Sequence, residues 1–179
     1  MIESKQILYS LAAGIIAGVI ASIILLVRFS GVFDEFMYEV IYRQLLSAGL
    51  PEEKVLEIAN TSIQEIKWIH WLIPIGPIIN MLFLGAILGV FLDFLIKRLS
   101  LKPYIASILA GLILIFLLQL IPMLIISKLY APWLIELLDK YIGIATILAP
   151  SIIYTIILIL FNTIEGPWTK WGETKPETY

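Results

Sequence analysis

The side chains in this sequence that could do chemistry are few and lie scattered among apolar residues: His70, Asn80, Asp93, Gln119 and Ser151. Asn80 and Gln119 carry neutral amides, each able to donate and to accept hydrogen bonds. An amide left unpaired in hydrocarbon is costly, so both must face protein, water or a solute. Two arrangements satisfy that demand. The amides can bond to each other, or they can join Ser151 and the helix breaks near Pro122 and Pro150 in a binding site for a solute or ion.

Asp93 is the one acid well inside an apolar run, which makes it a candidate for moving a proton or cation. Lys97, one helical turn later, offers it a plain ion pair instead. His70 sits beside Trp68 and Trp71 and could titrate near neutrality. With Glu57 or Glu65 it could ligate a metal, but neither glutamate is one helical turn away, and the expectation is an interfacial polar anchor. The absence of Cys and the single His exclude disulfides, thiolate chemistry and multi-histidine metal or haem sites within one chain. No P-loop, nucleophile elbow, HExxH or dinucleotide fingerprint occurs. No catalytic residue, metal ligand set or cofactor is therefore assigned.

These groups must be positioned by elements built for lipid. The 179 residues are 60% hydrophobic and 15% charged, with a mean hydropathy of +0.99, far from an ordinary soluble domain. Spanning the hydrocarbon of a bilayer takes about 20 apolar residues in a helix. The sequence predicts an all-α polytopic integral membrane protein, one membrane domain over 1–179, with four transmembrane helices near 7–28, 73–97, 103–127 and 142–162. Small residues recur on the first of these, including the GxxxG pair Gly14 and Gly18. Gly85 and Gly89 form a second pair on the next helix. Such residues let backbones approach where lipid gives no hydrophobic drive, so both pairs are read as helix-packing faces.

Residues 32–71 read as an amphipathic helical hairpin. Phe33, Phe36, Val40 and Leu45 share a face of its first helix, and Val55, Ile58, Ala59 and Ile66 share a face of its second. Gly49 suits the end of the first helix, and Pro51 with Glu52 and Glu53 suits the start of the second. A short connection follows at 128–141 and a polar tail at 163–179. Pro122 withholds the donor for the Leu118 carbonyl, which predicts a kink there.

The loop Lys97-Arg98-Leu99-Ser100-Leu101-Lys102 carries three cations in six residues and is expected on the cytoplasmic side. Both termini then lie in the cytoplasm, the hairpin 32–71 and the connection 128–141 lie outside, and the protein is a multi-pass component of the plasma membrane. Basic residues tie at six inside and six outside, and the dense loop decides. Counting helical rise from each end then puts Asn80 and Gln119 at a similar depth in the outer half of the membrane.

A net charge of -2 removes any compositional case for nucleic-acid binding. The expected partners are membrane lipid and other membrane subunits or a second copy of the chain. The first expectation is a non-catalytic accessory or assembly subunit of a larger membrane complex, or a homo-oligomer. It rests on the two GxxxG faces, the hairpin's apolar seam and the lack of a chemical constellation. The alternative is a small transport or solute-binding component with a polar site between the second, third and fourth spans. The third is an enzyme at the outer interface using His70.

Overall fold

The computed structural model describes residues 5–29 and 31–171. These fold as helices, with no strand among them. Four helical stretches, Lys5–Phe29, Ile75–Leu99, Pro103–Leu129 and Ile144–Thr163, are long and apolar enough to cross a membrane. The described residues are therefore all-α, and their four long apolar helices are compatible with a multi-pass membrane protein.

The first span is α1 (Lys5–Phe29), whose buried stripe runs through Ala13, Gly14, Ala17, Gly18, Ala21 and Ser22. Two shorter helices follow, α2 (Phe33–Ser47) and α3 (Glu52–Ile66). Gly49 adopts φ +83° after α2, where a side chain would be strained, and Pro51 precedes the first turn of α3. The two helices pack together, burying Val55, Ala59 and Ile63 of α3. Tyr42 donates a hydrogen bond to Glu52 across their junction at 3.0 Å.

A 3-10 helix over Lys67–Leu72 carries the Trp68–His70–Trp71 cluster into α4 (Ile75–Leu99). This span starts two residues later than the expected 73, because Pro74 and Pro77 have no N–H and confine the chain to a helix start. At its far end Ser100 takes a left-handed conformation, φ 51°, and the Leu101 N–H reaches back to the Leu95 carbonyl at 3.3 Å. Lys102 is extended, and Pro103 opens the next helix at once.

The third span is one rod of three parts. These are α5 (Pro103–Leu112), a π-helical segment (Ile113–Leu120) and α6 (Ile121–Leu129). The irregularity expected at Pro122 thus falls on the turns before it and widens the helix. The last wide bond joins the Ile121 N–H to the Phe116 carbonyl, and Pro122, with no N–H, stands next in line. The connection 128–141 contains the short helix α7 (Leu134–Tyr141), and the fourth span is α8 (Ile144–Thr163). The described part of the tail forms a 3-10 turn at Pro167–Lys170; residues 172–179, like 1–4, lie outside the described residues.

Packing is uneven. The most extensive contact joins α1 to α4, and α8 lies against α1 and α5. Tyr9, Met81, Leu92, Leu114, Tyr154 and Leu158 fill this core. The α6 half of the third span has no comparable contact with α1, α4 or α8 and leans on α7. A gap is left at that end of the bundle, which also carries α2 and α3 and is called the cap end here.

A second, aromatic cluster pins the cap to the bundle. Phe29 meets Phe36 edge-on at 5.5 Å, and Phe36 meets Tyr141 at 5.8 Å. Glu39 of α2 then pairs with Lys140 of α7 at 2.7 Å and with Arg43 at 3.4 Å. At the opposite end Tyr9 packs on Phe161 and Trp171, and its hydroxyl donates to the Trp168 carbonyl at 3.2 Å.

Candidate functional site

The site is framed by the α1–α4 pair. Its two GxxxG motifs pack on each other within a single chain. A Cβ on Gly85 would lie 2.8 Å from the Ser10 carbonyl oxygen, one on Gly18 would lie 2.7 Å from Ile78 Cα, and one on Gly14 would strike the Met81 carbonyl. Backbone atoms cannot yield as a flexible side chain can, so these glycines fix both the spacing and the register of an antiparallel pair.

A buried polar node locks α8 onto this pair. The single proton of the Ser10 hydroxyl goes to the Gly85 carbonyl at 2.5 Å. Tyr154, 2.5 Å from Ser10 Oγ, must therefore donate its own. This node does not follow from the spacing of polar residues in the sequence. Ser10 stands one turn before Gly14 on the small-residue stripe, and Tyr154 is the lone phenol in the apolar run of α8, which is the signal that was available. Nearer the cap end the Ser22 hydroxyl bonds to the Pro74 carbonyl and to the Gly18 carbonyl, fixing the start of α4 against α1.

Beyond Ser22 the helices part around a cavity of about 340 Å³. Ala21 and Leu25 of α1, Asn80 of α4, Gln119 of the π segment, and Thr146 and Pro150 of α8 stand on its walls. The depth count thus brought Asn80 and Gln119 to one cavity, with Pro150 beside them. The hydrogen bond expected between the amides does not form toward Gln119 Oε1, which is buried with no hydrogen-bond partner. The physical reason is the splayed third span, whose cap-end half stands away from α4.

Gln119 also lines a second cavity, of about 270 Å³, between α6, α7 and α8. Its other walls are Met123, Ile126, Leu134, Leu138, Ile147 and Leu148, all apolar. Gln119 and Ile147 form the partition between the two spaces. Neither cavity has an Asp, Glu, Lys, Arg or His in its wall.

The remaining candidates lie elsewhere. Ser151 is fully buried on α8 but outside the cavity walls, its Oγ without a partner and its carbonyl accepting from Thr155 at 2.7 Å. Pro122 is not on the walls either and bears on the site through the π segment before it. Asp93 lies toward the Lys97–Lys102 end and pairs with Lys97 at 3.0 Å, far along α4 from Asn80. His70 meets the Phe33 ring edge-on at 5.3 Å, joining the 3-10 helix to α2. No cluster of three or more His, Cys, Asp or Glu side chains with metal-binding geometry occurs among the described residues.

Of the acidic residues at the cap, Glu39 is the best fixed. Its hydrogen bond from Lys140, with Tyr141 and Arg43 nearby, holds its carboxyl below the usual carboxylate range against an opposing effect of burial. Lys140 is pushed above the ordinary lysine range by the same bond. These groups clamp α2 to α7, and α7 forms part of the second cavity's wall. No protein-family model matches the chain, and no curated protein or solved structure matches it.

Proposed function

We propose that the chain is a non-catalytic, solute-binding membrane component, suited to the binding step of transport, which holds an uncharged molecule between α1, α4, the π segment and α8. In this reading the Lys97–Lys102 loop and both termini face the cytoplasm of a cell with this chain in its plasma membrane. The α2–α3 hairpin lies outside, and the site faces the outer half of the bilayer. The observation that carries it is an uncharged cavity with Asn80, Gln119 and Thr146 in its wall, where Gln119 also holds a buried Oε1 that no protein donor meets. A buried acceptor without a partner costs about 1–3 kcal/mol, which a bound donor would recover once the Gln119 side chain turned to meet it. The test is a thermal-shift screen of neutral metabolites, long-chain alcohols among them, on purified protein. At least one should raise the melting temperature of wild type and not of Gln119→Leu. A screen with no such compound would sink the proposal.

A second reading, an assembly subunit, draws on the apolar faces that the third and fourth spans leave exposed, among them Phe116, Leu117, Ile152 and Ile156. Those faces would meet lipid or helices of a partner. The GxxxG pairs no longer favour it, since each is occupied by the other. A single-protomer mass by native mass spectrometry in mild detergent, with no co-purifying subunit, would remove this reading.

A further inference from the structure

The geometry points to a single-chain amphiphile with an uncharged hydroxyl head as the ligand, its head at Gln119 and Asn80 and its chain in the apolar cavity behind Gln119. This rests on the solute-binding reading above and goes further by naming the class of molecule. Three observations carry it. First, Gln119 stands in the walls of two cavities that differ in chemistry, and its Oε1 has no protein partner. The first has two amides and a threonine among otherwise apolar residues, whereas the second, Gln119 apart, is walled by Met123, Ile126, Leu134, Leu138, Ile147 and Leu148. A small polar solute would leave the second cavity empty, and a hydrocarbon would leave the amides unanswered. A molecule with one donor head and one aliphatic chain answers both.

Second, neither cavity wall contains a charged side chain. A carboxylate or phosphate head would stand in hydrocarbon with no cation beside it, at a large cost. The head is therefore neutral, and a hydroxyl can both donate to an amide oxygen and accept from an amide N–H of Gln119 or Asn80. Third, the route in lies through the membrane. The α6 half of the third span has no extensive contact with α1, α4 or α8, and Ile126 on the second cavity's wall is exposed, so this cavity lies close to the outer face of the helices. The first cavity, of about 340 Å³, is near the lower end of the volumes that hold drug-sized ligands and the second, of about 270 Å³, is just below it, which suits one chain and not a two-chain lipid.

The test uses the full chain in lipid nanodiscs and a diazirine-bearing long-chain primary alcohol, with labelled peptides read by mass spectrometry. Labelling should saturate and concentrate on the peptides carrying Met123, Leu134–Leu138 and Leu148. It should fall about fivefold in Gln119→Leu, the effect of losing one hydrogen bond of about 1 kcal/mol. Met123→Trp and, independently, Leu134→Trp should remove it by filling the apolar cavity. Labelling that never saturates and spreads over the exposed faces around Phe83 and Phe116 would overturn the inference. So would saturable labelling confined to the Asn80–Thr146 side and unmoved by either tryptophan. In that last case solute binding would stand and the amphiphile class alone would fall, whereas failure of the neutral-metabolite screen as well would remove both.

Discussion

Gly14 and Gly85 face each other across α1 and α4 so closely that a Cβ on either would come within 3.5 Å of the other's Cα, and nearer still to the opposing carbonyls of Met81 and Ser10. Overfilling a tight contact costs about 1–3 kcal/mol, and here the obstacle is backbone, which relaxes poorly. Gly14→Ala and Gly85→Ala should each lower stability by at least about 2 kcal/mol in detergent unfolding monitored by circular dichroism. Gly76, on the same helix as Gly85, has open space where a Cβ would go. Gly76→Ala should be neutral or stabilising by up to about 1 kcal/mol, from helix propensity alone. Equal effects at Gly76 and Gly85 would contradict this packing.

The Ser10–Tyr154–Gly85 node predicts an asymmetric pair of variants. Tyr154→Phe removes one donor and leaves the Ser10 bond to Gly85 intact, so its cost should be near the ~0.6 kcal/mol typical of bonds between membrane helices. Ser10→Ala removes the extra bond to the Gly85 carbonyl, which keeps its helical bond from the Gly89 N–H, and strands the Tyr154 hydroxyl, so it should cost more, toward the ~1.7 kcal/mol upper end. The double variant should cost less than the sum of the two, because the singles break a shared bond. Additivity would show that the two hydroxyls do not interact.

The cap clamp has a pH signature whose direction follows from its two partners. The carboxyl of Glu39 is held below its unfolded range, so its contribution is present above that range and is lost as pH falls through the lowered value. Lys140 is raised, so its contribution is present at ordinary pH and lost as pH rises through the raised value above the lysine range. Hydrogen exchange in α2 and α7 should therefore be slowest near neutrality and quicken at acid pH, after correction for intrinsic chemical exchange. Glu39→Gln should remove the acid limb of that curve. An acid limb that persists in Glu39→Gln would mean another carboxylate holds the cap.

How far the sequence speaks for itself depends on whether a feature is set by one helix or by two. Span number and the buried stripe from Ala13 to Ser22 depend on run length and on periodicity within one helix, and both were legible. The shared depth of Asn80 and Gln119 was legible as well, because it needs only the helical rise and two ends. The mutual packing of the Gly14 and Gly85 motifs was not, since small residues announce a close approach without naming the partner. Nor was the Ser10–Tyr154 bond, which joins residues 144 positions apart whose types are unremarkable alone. The π segment was hidden for another reason: Pro122 marks a missing donor, but whether the chain answers by kinking or by widening depends on its neighbours.

That widening yields the last prediction. Each wide turn holds an additional fraction of a residue, so the π segment sets the rotation of Gln119 relative to α5 and hence the wall that its side chain reaches. Pro122→Ala restores an N–H where the ladder has none and should let regular α-helical pairing extend toward Gln119. In a regular helix interior, Pro-to-Ala is worth about 3 kcal/mol; the gain here should be smaller, because wide bonds already pair the carbonyls just before it. The variant should thus unfold at a higher temperature than wild type while its Gln119-dependent labelling by the alcohol probe falls. Stability and binding would move in opposite directions, as expected where an irregular helix is kept for the group it positions. A Pro122→Ala protein that gains stability and keeps full Gln119-dependent labelling would show that the π segment has no part in placing Gln119.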